Sequence, residues 1–202
     1  MAMEICGIDE AGRGPIAGPL VVAGCMFKWK MDNGKLKIKN EKIDIENILE
    51  EIKDSKRLNA IKREKLFEII KEICIYHIVW VDNKTIDKKG LSFAINYSLK
   101  EIKNNIKAKK YLFDGNSSFG VDGIETIIKG DSKIKEIAAA SILAKVSRDQ
   151  YMIEISDKYP EYNFKKHKGY ITKEHIEEIK KYGFSDIHRI SYKLKALEPT
   201  LF

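Results

Sequence analysis

The stretch GIDEAGRGPIAGPLVVAG, residues 7–24, contains the change of pattern that decides the fold of this chain. An apolar run from Met3 to Ile8 leads into two adjacent carboxylates, Asp9 and Glu10. A loop rich in glycine and proline follows, and a second apolar run extends from Pro19 to Trp29. This pattern predicts a strand, a special loop and a second strand. Because neighbouring side chains of a strand point to opposite faces, Asp9 and Glu10 can converge only if the strand breaks there, and Gly12–Pro15 supplies the break.

The rest of the chain alternates between helical and extended patterns, which is typical of an α/β protein. Apolar spacing predicts helices over Asn59–Ile73, Leu91–Ile106, Ile134–Asp157 and Thr172–Tyr182, and strands over Ile75–Val81, Tyr111–Asp114 and Glu125–Lys129. The polar segment Lys30–Asn40 predicts a hairpin tip or a surface insertion. Because proline rarely continues a helix, Pro160 marks the boundary between a domain of residues 1–158 and a helical C-terminal extension of residues 159–202.

Composition excludes several classes of protein. The chain has 202 residues, of which 44% are apolar and 33% charged, so it suits one globular domain with a small appendage rather than a disordered chain. No apolar run approaches the roughly 20 residues that cross a bilayer, and no signal-peptide pattern opens the chain. We therefore expect a cytoplasmic protein with no membrane partner. Three cysteines without a Cys-x-x-Cys pair indicate reduced, buried thiols. The net charge of +7 permits a polyanionic partner, although charge alone favours a solvated lysine-rich surface.

Four carboxylates stand at or just beyond the ends of predicted strands. Asp9 and Glu10 close the first strand, Asp114 closes the strand YLFD, and Asp131 follows shortly after the strand ending at Lys129. Taken singly, Asp114 is typical of an Asp-Gly turn and Asp131 is typical of a helix N-cap. Because sites in open α/β sheets form at the carboxyl ends of strands, the four together indicate a functional site.

The chemistry of these side chains indicates which metal such a site would hold. A set of four carboxylates without clustered histidine or cysteine suits Mg²⁺ or Mn²⁺ and not zinc. Two such ions, roughly 4 Å apart, can activate a water and stabilise a leaving oxygen in phosphodiester hydrolysis.

The histidines and two lysines carry weaker signals. The four histidines form no spacing typical of metal ligands. His167 and His188 lie in basic stretches, where a phosphate contact and a plain surface position are both open. Lys56 in DSKRL either leads into a helix or contacts a phosphate. Lys145 lies within a predicted helix, where a solvated lysine is the default.

Six blocks of the sequence resemble the prokaryotic ribonuclease HII family, the type 2 ribonucleases H. They are GIDEAGRGPIAGPLVVAG, DSKRL, YLFDGN, KGDSKIKEIAAASILAKVSRD, HKGYITKEH and IHRISY, in the order of the family, and they extend from Ile5 to about Tyr192. The resemblance implies a ribonuclease H-like fold: a five-stranded mixed sheet with flanking helices and a small C-terminal helical extension. It also implies hydrolysis of the RNA strand of RNA–DNA hybrids and incision 5′ to single ribonucleotides in duplex DNA, which leaves 3′-hydroxyl and 5′-phosphate ends.

The resemblance further implies a role for individual residues. The family's catalytic carboxylates, which hold two Mg²⁺ or Mn²⁺ ions when substrate is bound, correspond to Asp9, Glu10, Asp114 and Asp131. Its substrate-binding residues correspond to Gly12, Arg13, Gly14, Tyr170, Lys56 and Lys145. The Gly-Arg-Gly loop would read the ribose 2′-hydroxyl through main-chain groups, the tyrosine would pack on the sugar, and the two lysines would lie near phosphates.

Two segments depart from the family pattern or stand outside it. The segment Lys30–Asn47 is longer and more basic than a compact member requires, which puts local substrate contacts in doubt. The last residues, Glu198–Phe202, loosely resemble a peptide that binds a sliding clamp, although a hydrophobic tail folded onto its own domain, or disordered, is the simpler interpretation. By analogy with the family we expect a monomer.

Two other functions stay open at this stage. One is a different ribonuclease H-like nuclease that cuts DNA or RNA generally. The other is a non-catalytic protein that binds hybrids on the same fold, which would be indicated by the loss of one or more carboxylates. All four carboxylates are present.

Overall fold

A computed structural model describes residues 4–28, 35–38, 41–53 and 59–193. The strands in this part of the chain are β1 (Ile5–Ala11), β2 (Leu20–Phe27), β3 (Lys35–Ile38), β4 (Glu41–Asp44), β5 (Cys74–Val81), β6 (Lys110–Asp114) and β7 (Ile124–Ile127). The α-helices are α1 (Ile45–Lys53), α2 (Ala60–Ile73), α3 (Asn83–Lys89), α4 (Leu91–Asn105), α5 (Lys135–Ser156), α6 (Phe164–His167) and α7 (Lys173–Tyr182).

The main sheet has five strands in the order β5-β2-β1-β6-β7. β1 pairs antiparallel with β2 and parallel with β6. Of the outer pairs, β2 and β5 are antiparallel, and β6 and β7 are parallel. The predicted five-stranded mixed sheet with an antiparallel opening is therefore confirmed. A separate antiparallel pair, β3 and β4, lies in the basic segment where the sequence predicts a hairpin or an insertion.

The first strand ends at the break that the sequence predicts, Gly12–Pro15. β1 continues through Asp9 and Glu10 to Ala11, whose ladder partner on β2 is Val21. The turn begins at Gly12, where φ is +92°, a left-handed conformation that favours glycine. The ladder hydrogen bonds thus persist to the end of the strand, and the two carboxylates stay on opposite faces of the sheet.

Helices cover both faces of the sheet, as predicted. Residues of β1 and β2 alternate between two apolar clusters. Ala11, Val21 and Ala23 belong to the cluster formed with α1, α2 and α5. Ile8 and Val22 belong to the cluster formed with α3 and α4. This alternation is the period of two that a sheet buried on both faces requires.

The sequence patterns miss two of the helices on these faces. α3 has only seven residues, and its one buried side chain is Ile86, so no apolar period is visible. Its start is fixed instead by Asp82, whose side chain accepts a hydrogen bond from the main-chain nitrogen of Thr85. α1 follows β4 directly, and its apolar residues Ile45, Ile48, Leu49 and Ile52 do have helical spacing, but the helix is only nine residues long and lies beside the polar, basic segment. The helix starting after Asn59, by contrast, is confirmed with that residue as its N-cap.

Close packing of α5 on β1 positions side chains of the helix beside the carboxylates at the end of the strand. A Cβ atom added at Gly7 would lie 2.2 Å from the main-chain nitrogen of Ile137, so only glycine lets the helix approach this closely. One step along, Asp9 accepts a hydrogen bond from the side chain of Ser141. Two strand residues advance about 6.6 Å and four helix residues about 6.0 Å, so the strand and the helix stay in step over this short distance.

The residues after α5 pack against it through a third apolar cluster. Met152 of α5 and Ile16 of the loop after β1 meet Phe164 of α6 and Ile179 of α7 in this cluster. The α7 helix begins after Thr172, whose hydroxyl accepts a hydrogen bond from the main-chain nitrogen of His175, as predicted. The C-terminal segment thereby lies beside the loop that follows the paired carboxylates.

Two further observations bear on the predicted cellular location. Cys6, Cys25 and Cys74 are buried and free, as the sequence predicts. Within the part of the chain that the structure describes, no helix is long and apolar enough to cross a membrane.

Candidate active site

Carboxylates converge at one end of the sheet, where β1 and β6 lie side by side and run in the same direction. Asp9 and Glu10 belong to the last three residues of β1, and Asp114 is the last residue of β6. The charge of Asp114 acts on both Asp9 and Glu10. The parallel pairing of adjacent strands therefore brings together residues that are about a hundred positions apart, as predicted.

Asp9 lies on the face of β1 that packs against α5. Its side chain is buried, and its Oδ1 accepts a hydrogen bond from the main-chain nitrogen of Glu10 at 2.8 Å. The side chain of Ser141 forms a second hydrogen bond. Burial, with the charges of Glu10 and Asp114, raises the pKa of Asp9 to about 8. Two hydrogen bonds thus do not offset the cost of ionising this group in its buried position.

Glu10 lies on the opposite face of the strand, beside the Arg13 side chain. Its Oε1 is 3.5 Å from an Nη atom of Arg13. Its Oε2 is buried, and no hydrogen-bond partner for it exists among the described residues. Burial raises the pKa of Glu10 above its ordinary value, although the Arg13 charge opposes this shift. Buried polar atoms normally have a hydrogen-bond partner, so this oxygen is free to bind a ligand.

Asp114 and Asp131 are joined through the main chain. The two carboxylate oxygens of Asp114 accept hydrogen bonds from the nitrogens of Gly130, at 3.0 Å, and of Asp131, at 3.4 Å. Asp131 is buried in a 3-10 turn, Gly130–Ser132, and is not the N-cap of the following helix. That helix starts at Lys135 after Ile134, which makes no side-chain capping bond. The turn, and not a cap, therefore fixes the fourth carboxylate.

The residues present fit a divalent cation. The donor set consists of carboxylate oxygens, which are the ligands that Mg²⁺ and Mn²⁺ prefer. The pKa of Asp9 is raised, and Oε2 of Glu10 lacks a hydrogen-bond partner among the described residues although Arg13 lies beside Oε1. A bound cation would compensate both.

An open groove of about 350 Å³ borders these carboxylates. It is lined by Glu10, Ala11, Gly12, Arg13, Gly14, Arg63, Ser141, Ile142, Lys145 and Tyr170. The predicted Gly-Arg-Gly loop, Lys145 and Tyr170 thus share one groove, although they are far apart in sequence. Lys56 lies outside the described residues.

The side chains along the groove are held in place by charge and stacking. The Arg13 guanidinium lies 5.6 Å from the centre of the Phe119 ring. The ammonium of Lys145 is 5.8 Å from the centre of the Tyr170 ring and 2.8 Å from Oδ1 of Asp149. Tyr170 is 40% exposed, so its ring can contact a ligand in the groove. A Cβ added at Gly14 would meet no atom within 4 Å, so this stretch of main chain is open to the groove.

The sequence profile of the family described as Ribonuclease HII matches residues 6–195. The chain belongs to the ribonuclease HII family. The Ribonuclease HII of Aliarcobacter butzleri (strain RM4018) is 52% identical over 196 residues, with 96% of this chain and 93% of the relative covered. That of Sulfurovum sp. (strain NBC37-1) is 48% identical over 199 residues, with 98% and 96% covered.

Solved structures agree with this assignment. The chain resembles RNase HII in the PCNA:RNase HII complex from Archaeoglobus fulgidus, with a TM-score of 0.76, 26% identity and 96% of each chain covered. It also resembles ribonuclease H2 from Pyrococcus horikoshii OT3, with a TM-score of 0.70, 28% identity and 95% and 94% covered. As a ribonuclease HII, the chain is a nuclease with endonuclease activity of the ribonuclease H type.

Two groove residues of this ribonuclease HII escape the sequence patterns. Ser141 could have been found from the register of β1 and α5, because it follows Ile137 by one helical turn and Asp9 follows Gly7 by one strand repeat. Arg63 lies on α2 among several basic residues, and nothing in the sequence separates it from its neighbours.

Three of the four histidines of this ribonuclease HII are not surface residues. His167, His175 and His188 are all buried. The Nε2 atom of His167 lies 3.0 Å from Oε2 of Glu178, and the Nε2 atoms of His175 and His188 are 3.0 Å apart. We call these four residues the histidine cluster. Neither His167 nor His188 is placed to contact a phosphate at the surface, so both open interpretations of these residues are wrong.

Hydrogen bonds assign a neutral tautomer to each ring of the histidine cluster. Nδ1 of His167 accepts from the nitrogen of Gly169, so its Nε2 carries the proton and donates to Glu178. Nδ1 of His188 accepts from the nitrogen of Ser185, so its Nε2 donates to His175. Nδ1 of His175 then donates to the carbonyl of Tyr170. Burial lowers the pKa of both His175 and His188 to about 4, in agreement with neutral rings.

The geometry of the histidine cluster does not suit a metal ion, although His167, His175 and Glu178 offer ligand atoms within 4.8 Å of one another. The rings of His167 and His175 are stacked, with centroids 4.1 Å apart and an angle of 16° between planes. A metal lies in the plane of each imidazole that binds it, and two nearly parallel stacked planes do not meet at such a point. All six ring nitrogens are also engaged in the hydrogen bonds described above.

Proposed function

We propose that this ribonuclease HII hydrolyses the RNA strand of RNA–DNA hybrids and incises 5′ to single ribonucleotides in duplex DNA, leaving 3′-hydroxyl and 5′-phosphate ends. One observation carries the proposal. Glu10 opens onto a groove that is also lined by Gly12–Gly14 and Tyr170, while Asp9 is hydrogen-bonded to Ser141 of the groove wall and the charge of Asp114 acts on Glu10. A phosphodiester in this groove would meet acidic residues on one side and a ribose-reading surface on the other.

Asp9, Glu10, Asp114 and Asp131 would hold Mg²⁺ or Mn²⁺, two ions when substrate is bound. Such ions activate the attacking water and stabilise the leaving oxygen of a phosphodiester. The protein's own contribution is to fix the carboxylates: Ser141 and the nitrogen of Glu10 orient Asp9, while the nitrogens of the 3-10 turn orient Asp114. Arg13 draws Glu10 to one side through its side-chain charge.

The remaining groove residues would select ribose. Main-chain groups of Gly12–Gly14 can form hydrogen bonds with a 2′-hydroxyl, which is the group that separates RNA from DNA at a single site. The exposed ring of Tyr170 would pack on the sugar, and Lys145 would contact a neighbouring phosphate. Lys56 enters this proposal through the family resemblance alone.

Cleavage of two labelled duplexes in Mg²⁺ tests the proposal. One duplex holds a single embedded ribonucleotide, and the other is its all-DNA equivalent. We expect incision of the first only, on the 5′ side of the ribonucleotide, and no incision in EDTA. Cleavage of both duplexes would indicate a general nuclease. Cleavage of neither duplex, with a long hybrid in Mn²⁺ also left intact, would favour a hybrid-binding protein.

The Gly14→Ala variant isolates the role of the main chain. Because the added Cβ would meet no protein atom within 4 Å, the folded protein should tolerate it. A bound sugar near this main chain would meet the new methyl group, so incision at a lone ribonucleotide should fall. Unchanged incision in Gly14→Ala would contradict ribose reading by this loop.

Partners and location belong to the same proposal. We propose a monomer in the cytoplasm, with residues 159–202 as an extension that completes the groove through Tyr170. The tail Glu198–Phe202 lies outside the described residues, and we propose a weak sliding-clamp contact through it, by analogy with the solved complex of an RNase HII with PCNA. Deletion of residues 200–202 should weaken binding to a clamp in a pull-down, and unchanged binding would contradict this contact.

A further inference from the structure

Two buried arginines lie beneath the groove, and neither forms an ion pair. Arg148 of α5 and Arg189 are each 1% exposed. Among the residues that the structure describes, no carboxylate oxygen lies within 4 Å of a nitrogen of either guanidinium. Because an isolated buried charge is costly, such groups are kept only where other contacts require them.

Arg148 ties together three segments through main-chain carbonyls. Its Nε donates to the carbonyl of Pro19 at 2.9 Å, and its Nη2 donates to that of Ala17 at 2.9 Å. Its Nη1 donates to the carbonyl of Lys168 at 3.0 Å. The guanidinium carbon lies 5.6 Å from the centre of the Tyr170 ring. One side chain therefore fixes both the segment after the Gly-Arg-Gly loop and the segment that carries the tyrosine.

Arg189 holds the Gly-Arg-Gly loop itself. Its Nε donates to the carbonyl of Gly18 at 3.0 Å. Its Nη1 donates to the carbonyl of Arg13, at 3.4 Å, and to the hydroxyl of Tyr192, at 3.0 Å. The Tyr192 hydroxyl in turn donates to the same Arg13 carbonyl at 3.0 Å. The carbonyl between Arg13 and Gly14 thus has its direction set by two donors from the C-terminal segment.

Gly12 of the loop packs directly against the guanidinium group of Arg148. A Cβ added at Gly12 would lie 2.2 Å from Nε of Arg148, so the loop packs directly on it. A main-chain hydrogen bond also joins the two segments directly: the nitrogen of Ile16 donates to the carbonyl of Gly169 at 2.9 Å. The segment after the loop and the segment that carries the tyrosine are therefore connected both directly and through Arg148.

We propose that Arg148 and Arg189 are positioning residues that determine selectivity for ribose, because they hold the Gly12–Gly14 main chain and the Tyr170 ring at a fixed separation. The proposal rests on the function proposed above. A 2′-hydroxyl would be read by two elements from distant parts of the chain, and neither element is aligned by its own secondary structure. Small misplacement of such elements costs activity far more than it costs binding.

The test uses Arg148→Lys and Arg189→Lys, because lysine keeps the charge but cannot donate to several carbonyls in one plane. The kinetic constants kcat and KM would be measured on a duplex with one ribonucleotide. We expect kcat to fall at least about tenfold with little change in KM. A second substrate with four consecutive ribonucleotides should be less affected, because several 2′-hydroxyls offer alternative registers.

A double-mutant cycle separates positioning from a general loss of structure. In the background of Tyr170→Ala, the effect of Arg148→Lys on kcat should be clearly smaller, because one of the two elements that Arg148 positions is absent. The same fold-reduction in both backgrounds would overturn the proposal. Ile102→Val on the opposite face of the sheet serves as a control, since it lowers stability without contact to the loop; it should leave the ratio of rates on the two substrates unchanged.

Failure of this inference differs from failure of the proposed function. If the unmodified protein does not distinguish the single-ribonucleotide duplex from all-DNA, the proposed function is wrong. If the unmodified protein does distinguish them and both lysine variants do so equally well at full kcat, the proposed function stands and the positioning role is wrong. Thermal unfolding of each variant would show whether a loss of kcat merely follows a loss of fold; a loss of kcat matched by the control at equal stability would also overturn the role.

Discussion

The carboxylate site and the histidine cluster are two groups of buried ionisable residues in one small protein. They differ in the direction in which burial shifts their pKa values and in how completely their polar atoms are hydrogen-bonded. In the first, burial raises the pKa of Asp9 to about 8, and Glu10 keeps an oxygen without a donor. In the second, burial lowers the pKa of His175 and His188 to about 4, and every ring nitrogen has a hydrogen-bond partner. Every ring nitrogen of the histidine cluster is hydrogen-bonded, whereas the proposed cation would compensate the carboxylates.

Asp9→Asn should give the largest effect, and in opposite directions for activity and stability. Loss of a charged ligand should lower cleavage by more than about 100-fold, the upper end of what loss of an outer partner costs. In metal-free buffer at neutral pH, the neutral amide should raise the free energy of unfolding by on the order of 2 kcal/mol, because a poorly compensated buried acid is removed. Cleavage assays and urea unfolding in EDTA measure the two effects. A less stable Asp9→Asn protein would contradict this view of the site.

His188→Gln should have the reverse effect, a loss of stability with little loss of activity. The ring fills a buried position between His175 and Ser185, so its loss should lower the free energy of unfolding by about 1–3 kcal/mol. Cleavage at saturating substrate should fall much less than in Asp9→Asn, because His188 is connected to the groove indirectly, through His175 and the main-chain carbonyl of Tyr170, and does not itself line it. Urea unfolding and kcat of the same preparation check both statements, and a stability equal to that of the unmodified protein would mean that the cluster is not structural.

The pH dependence of stability should report the neutral state of the histidine cluster. Unfolded histidine binds a proton near pH 6.5, whereas His175 and His188 do so only near pH 4 when folded. The unfolded chain therefore holds more protons between these values, and the stability should fall as the pH decreases from about 6.5 to about 4. Urea unfolding at several pH values measures the slope. The slope should be smaller in His188→Gln, and an equal slope would assign the loss to other groups.

Glu178→Gln should have the smallest effect. The amide oxygen can still accept from a neutral His167, but the main-chain nitrogen of Asn163, which donates to the other carboxylate oxygen at 3.1 Å, loses its acceptor at an exposed position, so we expect a loss of about 1 kcal/mol. If His167 were an imidazolium, removal of the adjacent charge would cost considerably more. Thermal unfolding at pH 7.5 distinguishes these cases, and a large loss of stability would contradict the assigned tautomer.

The sequence predicts more of the carboxylate site than of the histidine cluster, for a physical reason. Strand periodicity, strand ends and the Gly-Arg-Gly loop are local signals, and they locate Asp9, Glu10 and Asp114. The histidine cluster depends on the packing of α6, α7 and the segment around His188, which have no local spacing in common. The end of the first strand is a local signal too, because Gly12 and Pro15 mark it in the sequence and β1 ends at Ala11. Asp131, by contrast, lies where the sequence is typical of a helix N-cap, and only the structure shows that α5 begins later, at Lys135.

The matched advance of β1 and α5 also constrains how this chain can change in length. Inserting one residue between Ile137 and Ser141 would rotate the following helix by about 100° and carry Ser141 away from Asp9 and Arg148 away from the loop. The stretches 7–12 and 136–148 therefore tolerate substitution at some positions but no insertion or deletion. Across descendants of this chain, we expect length variation to collect in the β3–β4 segment and in the surface loops, while these two stretches keep their residue count.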